Sequence, residues 1–85
     1  MTDALPTSRD AMRREIAALL HEEPDVIGDS DDLADLGLDS MRAMTLLLRW
    51  NEAAPGLEFS EFAESLTLDH WWSLVEREIA ARKAG

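Results

Sequence analysis

Apart from Pro6 and Gly85 at the two ends, proline and glycine fall only between segments of helical period, at Pro24, Gly28, Gly37, Pro55 and Gly56. Neither residue sits cheaply inside a helix, so these positions cut the chain into helices of limited length. Three segments carry apolar residues at steps of three and four. The first follows Thr7 or Ser8 as N-cap and runs to about His21, with Met12, Ile16, Leu19 and Leu20 on one face. The second starts at Asp39 or Ser40 and runs to about Glu52, where "AAPG" ends it. Thr67 caps the last, whose apolar positions are Leu68, Trp71, Trp72, Val75 and Ile79. Between them, "FSEFAESL" reads as one or two turns capped by Ser60. The predicted fold is all-α: a four-helix bundle of three main helices and a short third helix, with a long first loop.

That loop, residues 22–38, is longer than the roughly 12 to 15 residues that compact domains usually allow without a function. Ser30 is expected to cap a turn through "DDLADL", with Leu33 and Leu36 pointing inward and Gly37 ending it. Such a turn would hold Asp39 and Ser40 in a defined place. Residues 21–40 also carry Glu22, Glu23, Asp25, Asp29, Asp31, Asp32, Asp35 and Asp39 without one Lys or Arg. A solvated acidic loop and a surface for a basic partner both fit this pattern.

With 85 residues the chain reads as one domain, 1–85, with its core at about 8–82. A domain this small buries only about 60 to 65% of its unfolded surface, which disfavours a large internal active site. Its hydrophobic fraction of 46% suits a folded domain. The net charge of -10 repels nucleic acid and anionic lipid and would steer basic partners. No apolar run approaches the roughly 18 residues of a membrane span, and "MTDALPTSRD" has neither the basic nor the apolar region of a secretion signal. That opening reads as a natural start, so a free-standing cytoplasmic domain is expected.

Cysteine is absent, and His21 and His70 lie far apart in sequence, so no metal set or thiol nucleophile suggests itself. An EF-hand starting at Asp29 would place Leu33 and Ala34 where a ligand and the turn glycine belong. The G-x-S-x-G elbow of a serine hydrolase is missing around Ser40.

From Ser40 to Glu52 the polar residues Arg42, Thr45, Arg49 and Glu52 form one narrow stripe. Ala43, Leu47 and Trp50 lie together on one side, and Met41, Met44 and Leu48 form a neighbouring flank. The methionines either fill gaps in the core or form an adaptable patch for a partner protein. Ser40 stands where backbone N–H groups lack helical partners and the helix dipole is positive. It is either a cap or the bearer of a phosphate ester.

The stretch "GLDSMRAMTLLLRW" (37–50) and then "FSEFAESLTLDHWWSLV" (59–75) resembles the carrier proteins of the acyl, peptidyl and aryl carrier superfamily. It is most similar to the aryl carriers of nonribosomal peptide and siderophore assembly, with their G-L-D-S-x-R-x-M…R-W and F-x-x-L-A-x-x-P-T-x-x-x-W-W runs. Phe62 replaces a usual leucine, and Leu66 the proline before Thr67. The resemblance implies that a phosphopantetheinyl transferase uses magnesium and coenzyme A to attach 4'-phosphopantetheine to Ser40 beside Asp39. An adenylating acid ligase then loads an aryl or amino acid on the thiol, and a downstream condensation or acyl-transfer enzyme receives it. The protein itself, expected to be a monomer, would catalyse nothing. Leu38, Met41, Met44, Phe59 and Ala63 match the positions that partners contact. A fatty or polyketide acyl carrier, and a helical adaptor with Ser40 unmodified, are the competing readings.

Overall fold

The computed structural model describes residues 5–84; the outer limits of the expected domain, 1–85, lie outside them. The main elements are α1 (Arg9–Leu20), α2 (Ser40–Ala53), α3 (Phe59–Ala63) and α4 (Leu68–Ala84), with 3-10 turns at Pro24–Val26 and Leu33–Leu36 in the first loop. Ser8 caps α1 by accepting the Ala11 N–H at 3.0 Å. His21 ends that helix in the left-handed region, φ 59°, its own N–H returned to Ala18 O. Thr67 Oγ1 accepts the His70 N–H at 3.2 Å and so opens α4, as its sequence position predicts.

Three aromatic rings form the centre of the core. Trp50 from α2, Phe62 from α3 and Trp71 from α4 are all fully buried. Phe62 and Trp71 meet edge to face at a 5.4 Å centroid separation, as do Trp50 and Trp71 at 6.1 Å. Each indole N–H is satisfied: Trp50 donates to Glu15 Oε1 at 2.9 Å and Trp71 to Phe62 O at 3.0 Å. Met12, Ile16, Ala17 and Leu20 close the core from α1, with Leu19 only partly covered. Trp72 and Ile79 sit at the core's border, while Leu68, Trp71 and Val75 lie within it.

Two of the expected caps are displaced. Ser60 lies inside α3, whose N-cap position is Glu58, and among the described residues no side chain caps that end. In the first loop Asp32, not Ser30, caps the 3-10 turn, accepting the Ala34 N–H at 2.9 Å. Asp32 wins because a 3-10 turn beginning at Leu33 places the residue just before it in capping register. A further 3-10 turn spans Pro24–Val26, and Pro24 supplies the fixed φ that starts it.

Candidate functional site

The long acidic loop is fastened at several points. Arg13 on α1 donates to Ile27 O at 2.7 Å, and its guanidinium also lies 2.7 Å from Asp29 Oδ1. Arg9 bridges Asp29 and Asp69 at 3.1 and 3.2 Å. Pairing with the Arg13 guanidinium, reinforced by Arg9, holds the Asp29 carboxyl below the ordinary carboxylate range, against an opposing effect of desolvation. Backbone bonds add to this: Leu33 N–H donates to Leu66 O at 2.7 Å, and Asp69 N–H to Asp29 O at 2.9 Å. The loop is thereby tied to both α1 and the start of α4.

The last turn of the loop aims the site. Gly37 ends the Leu33–Leu36 turn at φ 109°, a conformation that side-chain-bearing residues rarely adopt. Its N–H and that of Leu38 return to Ala34 O and Leu33 O. Leu33 and Leu38 point into the core, and Asp39 and Ser40 come out into solvent. Asp39 is the N-cap of α2 and accepts the Arg42 N–H at 2.8 Å. Ser40 is the first residue of the helix, and its Oγ makes no hydrogen bond among the described residues. Asp39 does the capping, which leaves the serine hydroxyl free on an exposed helix start.

Beside Ser40 lies a cavity of about 200 Å³ between α2, α3 and α4. Leu38, Ala43, Phe59, Phe62, Ala63, Leu66 and Trp71 give it an apolar lining, with Asp39 and Ser40 at its edge.

The flank of α2 next to this cavity faces outward. Met41 is 79% exposed, Leu48 60% and Met44 39%, because Ala43, Leu46, Leu47 and Trp50 already fill the inner face. Phe59, 41% exposed, joins them from α3 and lines a small groove with Met44 and Leu48. Exposed Ala63 continues the surface along α3. Of the residues expected to meet partners, Met41, Met44, Phe59 and Ala63 thus lie on one side of the molecule around Ser40. Leu38 departs from that expectation: only 5% exposed, it serves as a core anchor and cavity wall. Leu48 joins the exposed patch although it was not singled out as a partner residue; its place on the Met flank was the available signal.

The acidic side chains of Glu22, Glu23, Asp25, Asp31, Asp32, Asp35 and Asp39 are exposed, giving the long first loop a negative surface. Among the described residues no group of three or more His, Cys, Asp or Glu is placed to hold a metal ion, and no helix is long and apolar enough to cross a membrane.

Comparison with known proteins agrees with this geometry. The family described as phosphopantetheine attachment site matches residues 10–71. Enterobactin synthase component B of Escherichia coli (strain K12) is 41% identical over 75 residues, 88% of this chain and 26% of that protein. Acyl carrier protein ScoB of Streptomyces coeruleorubidus is 35% identical over 80 residues, 94% of this chain and 89% of that protein. Phenyloxazoline synthase MbtB of Mycolicibacterium paratuberculosis is 36% identical over 70 residues, 82% of this chain and 6% of that protein. The chain therefore spans about a quarter of the enterobactin synthase component and a far smaller part of the phenyloxazoline synthase, at 26% and 6%. No solved structure gave a significant match.

Proposed function

Since the chain belongs to the family of phosphopantetheine attachment sites, we propose that Ser40 is its attachment serine and that the arm it bears carries an aryl or aminoacyl group. The protein is a carrier bearing 4'-phosphopantetheine. One observation carries the assignment of Ser40: Asp39 occupies the capping role, so the neighbouring hydroxyl is exposed and uncommitted.

The residues present fit the group. In the first turn of α2 the Arg42 amide is taken by Asp39, and the Ser40 and Met41 amides have no partner among the described residues. Those donors and the helix dipole favour a phosphodiester on Ser40 Oγ. When attached, the group supplies the thiol that a chain without cysteine lacks. Attachment joins Ser40 Oγ to the phosphorus nearest the pantetheine and expels the adenosine 3',5'-bisphosphate half of coenzyme A; the serine proton leaves to a base. A transferase brings magnesium and that base. The chain's part is to hold Ser40 out from the fold.

Asp39 and the acidic loop would raise encounter rates with basic faces of the transferase, the adenylating ligase and a condensation or acyl-transfer enzyme. Met41, Met44 and Phe59 form the apolar contact beside the arm, with the domain acting as carrier and not catalyst. Aryl cargo is supported by the likeness to enterobactin synthase component B and phenyloxazoline synthase MbtB. The likeness to acyl carrier protein ScoB over nearly the whole of both chains supports an acyl cargo as the second reading.

The test is intact mass after incubation with coenzyme A, magnesium and a broad-specificity phosphopantetheinyl transferase, with Ser40→Ala as control. A gain of one phosphopantetheine in the wild type alone is expected. No gain in folded protein with an active transferase would overturn the assignment. Loading the modified protein with aryl, amino acid and acyl ligases then separates the two cargo readings.

A further inference from the structure

Five residues are too few to hold a helix by themselves, because helix nucleation is costly and each end leaves backbone groups without partners. α3 spans only Phe59–Ala63 and has no side-chain cap at its start. Its integrity therefore depends on what α4 supplies at its other end. Three α4 side chains reach it. His70 Nε2 lies 2.7 Å from Glu61 O, Trp71 Nε1 donates to Phe62 O at 3.0 Å, and Arg77 pairs with the Glu61 carboxylate at 2.8 Å.

These contacts differ in kind. The Trp71 bond is inseparable from the core, because the ring is fully buried. The Arg77 pair is exposed, and such pairs contribute little. His70 is half-buried at the border of the core and meets a carbonyl that the helix end leaves with only the distant Glu64 N–H, at 3.3 Å. Because a carbonyl can only accept, Nε2 carries the proton in this contact.

We propose that His70 is a positioning residue: it fixes α3 against α4 through Glu61 O, and so sets where Phe59 and Ala63 stand relative to Ser40. Phe59, Phe62 and Ala63 form one wall of the cavity beside Ser40, so a displaced α3 changes the surface next to the arm. Ser40 itself is aimed by Gly37 and Asp39, and the His70 side chain hydrogen-bonds to neither. The site affected is the surface that partners read after attachment, an interpretation that rests on the proposed carrier role.

The test compares wild type, His70→Ala, His70→Leu and His70→Gln, with glutamine offering an N–H donor in place of the ring. Amide hydrogen exchange is read first. Faster exchange is expected at the C-terminal end of α3 in the Ala and Leu variants, with α1 and α2 unchanged and near-wild-type exchange in Gln. The second readout is thioester loading of the modified proteins by an aryl-acid ligase supplied with benzoate and ATP. KM for the carrier should rise about fivefold in Ala and Leu, the scale of one lost hydrogen bond, while kcat holds and Gln restores KM. Phosphopantetheine attachment, read by mass, should proceed in all four.

Unchanged exchange in α3 would overturn the proposal, as would a fall in kcat at unchanged KM or a Gln variant no better than Ala. Global unfolding of both Ala and Leu would also overturn it, since His70 would then belong to general stability. Failure of wild-type attachment would instead count against the carrier role, and the exchange measurement would still decide whether His70 holds α3.

Discussion

Asp39 Oδ1 accepts the Arg42 N–H at 2.8 Å, and this bond caps the helix that Ser40 opens. The two substitutions Asp39→Ala and Asp39→Asn therefore separate capping from charge. Alanine should lower stability by about 1 kcal/mol, the usual cost of losing an N-cap. Asparagine keeps the acceptor, so its stability should stay near that of the wild type. Both should slow encounter with the transferase at low salt, with the difference vanishing as salt rises. Denaturant melts and attachment rates across a salt series check both parts; equal stability of Ala and wild type would refute the capping role.

Met44→Ala and Phe59→Ala remove half-exposed side chains at 39% and 41%, neither of which the core depends on. Attachment at Ser40 and the thermal midpoint should change little, whereas transfer of the loaded group to a downstream enzyme should fall about tenfold if these residues anchor the contact. A large drop in Tm for either variant would return that residue to the core.

Phe62→Leu restores the residue usual in the carriers this chain resembles, but takes a ring from the Trp50, Phe62 and Trp71 cluster. The surrounding indoles are fully buried and can collapse only partly, so a loss of about 1 to 3 kcal/mol is expected by chemical denaturation. An unchanged midpoint would mean that the cluster repacks without cost.

Acid should loosen the first loop through Asp29. Its carboxyl titrates lower in the folded protein than in the unfolded chain because pairing with Arg13, and after it Arg9, favours the charged form. The stabilisation is thus complete above the ordinary Asp value of about 3.9, and disappears as pH falls through the lower folded value. Asp29→Asn should have a lower Tm than wild type at neutral pH, and the gap should close on acidification. A gap that is the same at pH 7 and pH 2 would show that the pairing with Arg13 has no part in it.

α1, α2 and α4 were legible because each announces itself locally, by apolar period and by the caps Ser8, Asp39 and Thr67. α3 was legible as a turn or two but not in how it is held. A local reading offers Ser60, while the groups that satisfy its last carbonyls, His70 and Trp71, come from the next helix. The grip of Arg13 on Ile27 O is non-local in the same way, so composition showed an acidic loop but not its fastening. At the proposed site, the motif points to Ser40, but either of two adjacent residues could cap the helix by sequence, and the geometry gives that role to Asp39. The Met flank is likewise ambiguous by period alone, and Leu46, Leu47 and Trp50 fill the inner face and leave it outside.

The backbone bonds from Leu33 to Leu66 and from Asp69 to Asp29 join the loop before Ser40 to the segment that follows α3. Bonds on two sides oppose movement of this loop against the segment that follows α3. With Ser40 as the proposed attachment point, the distance a cargo travels between enzymes falls mainly to the arm, or to the whole domain moving as one piece. Mutations that slacken these two seams would change how accurately the arm's root is placed without lengthening its reach.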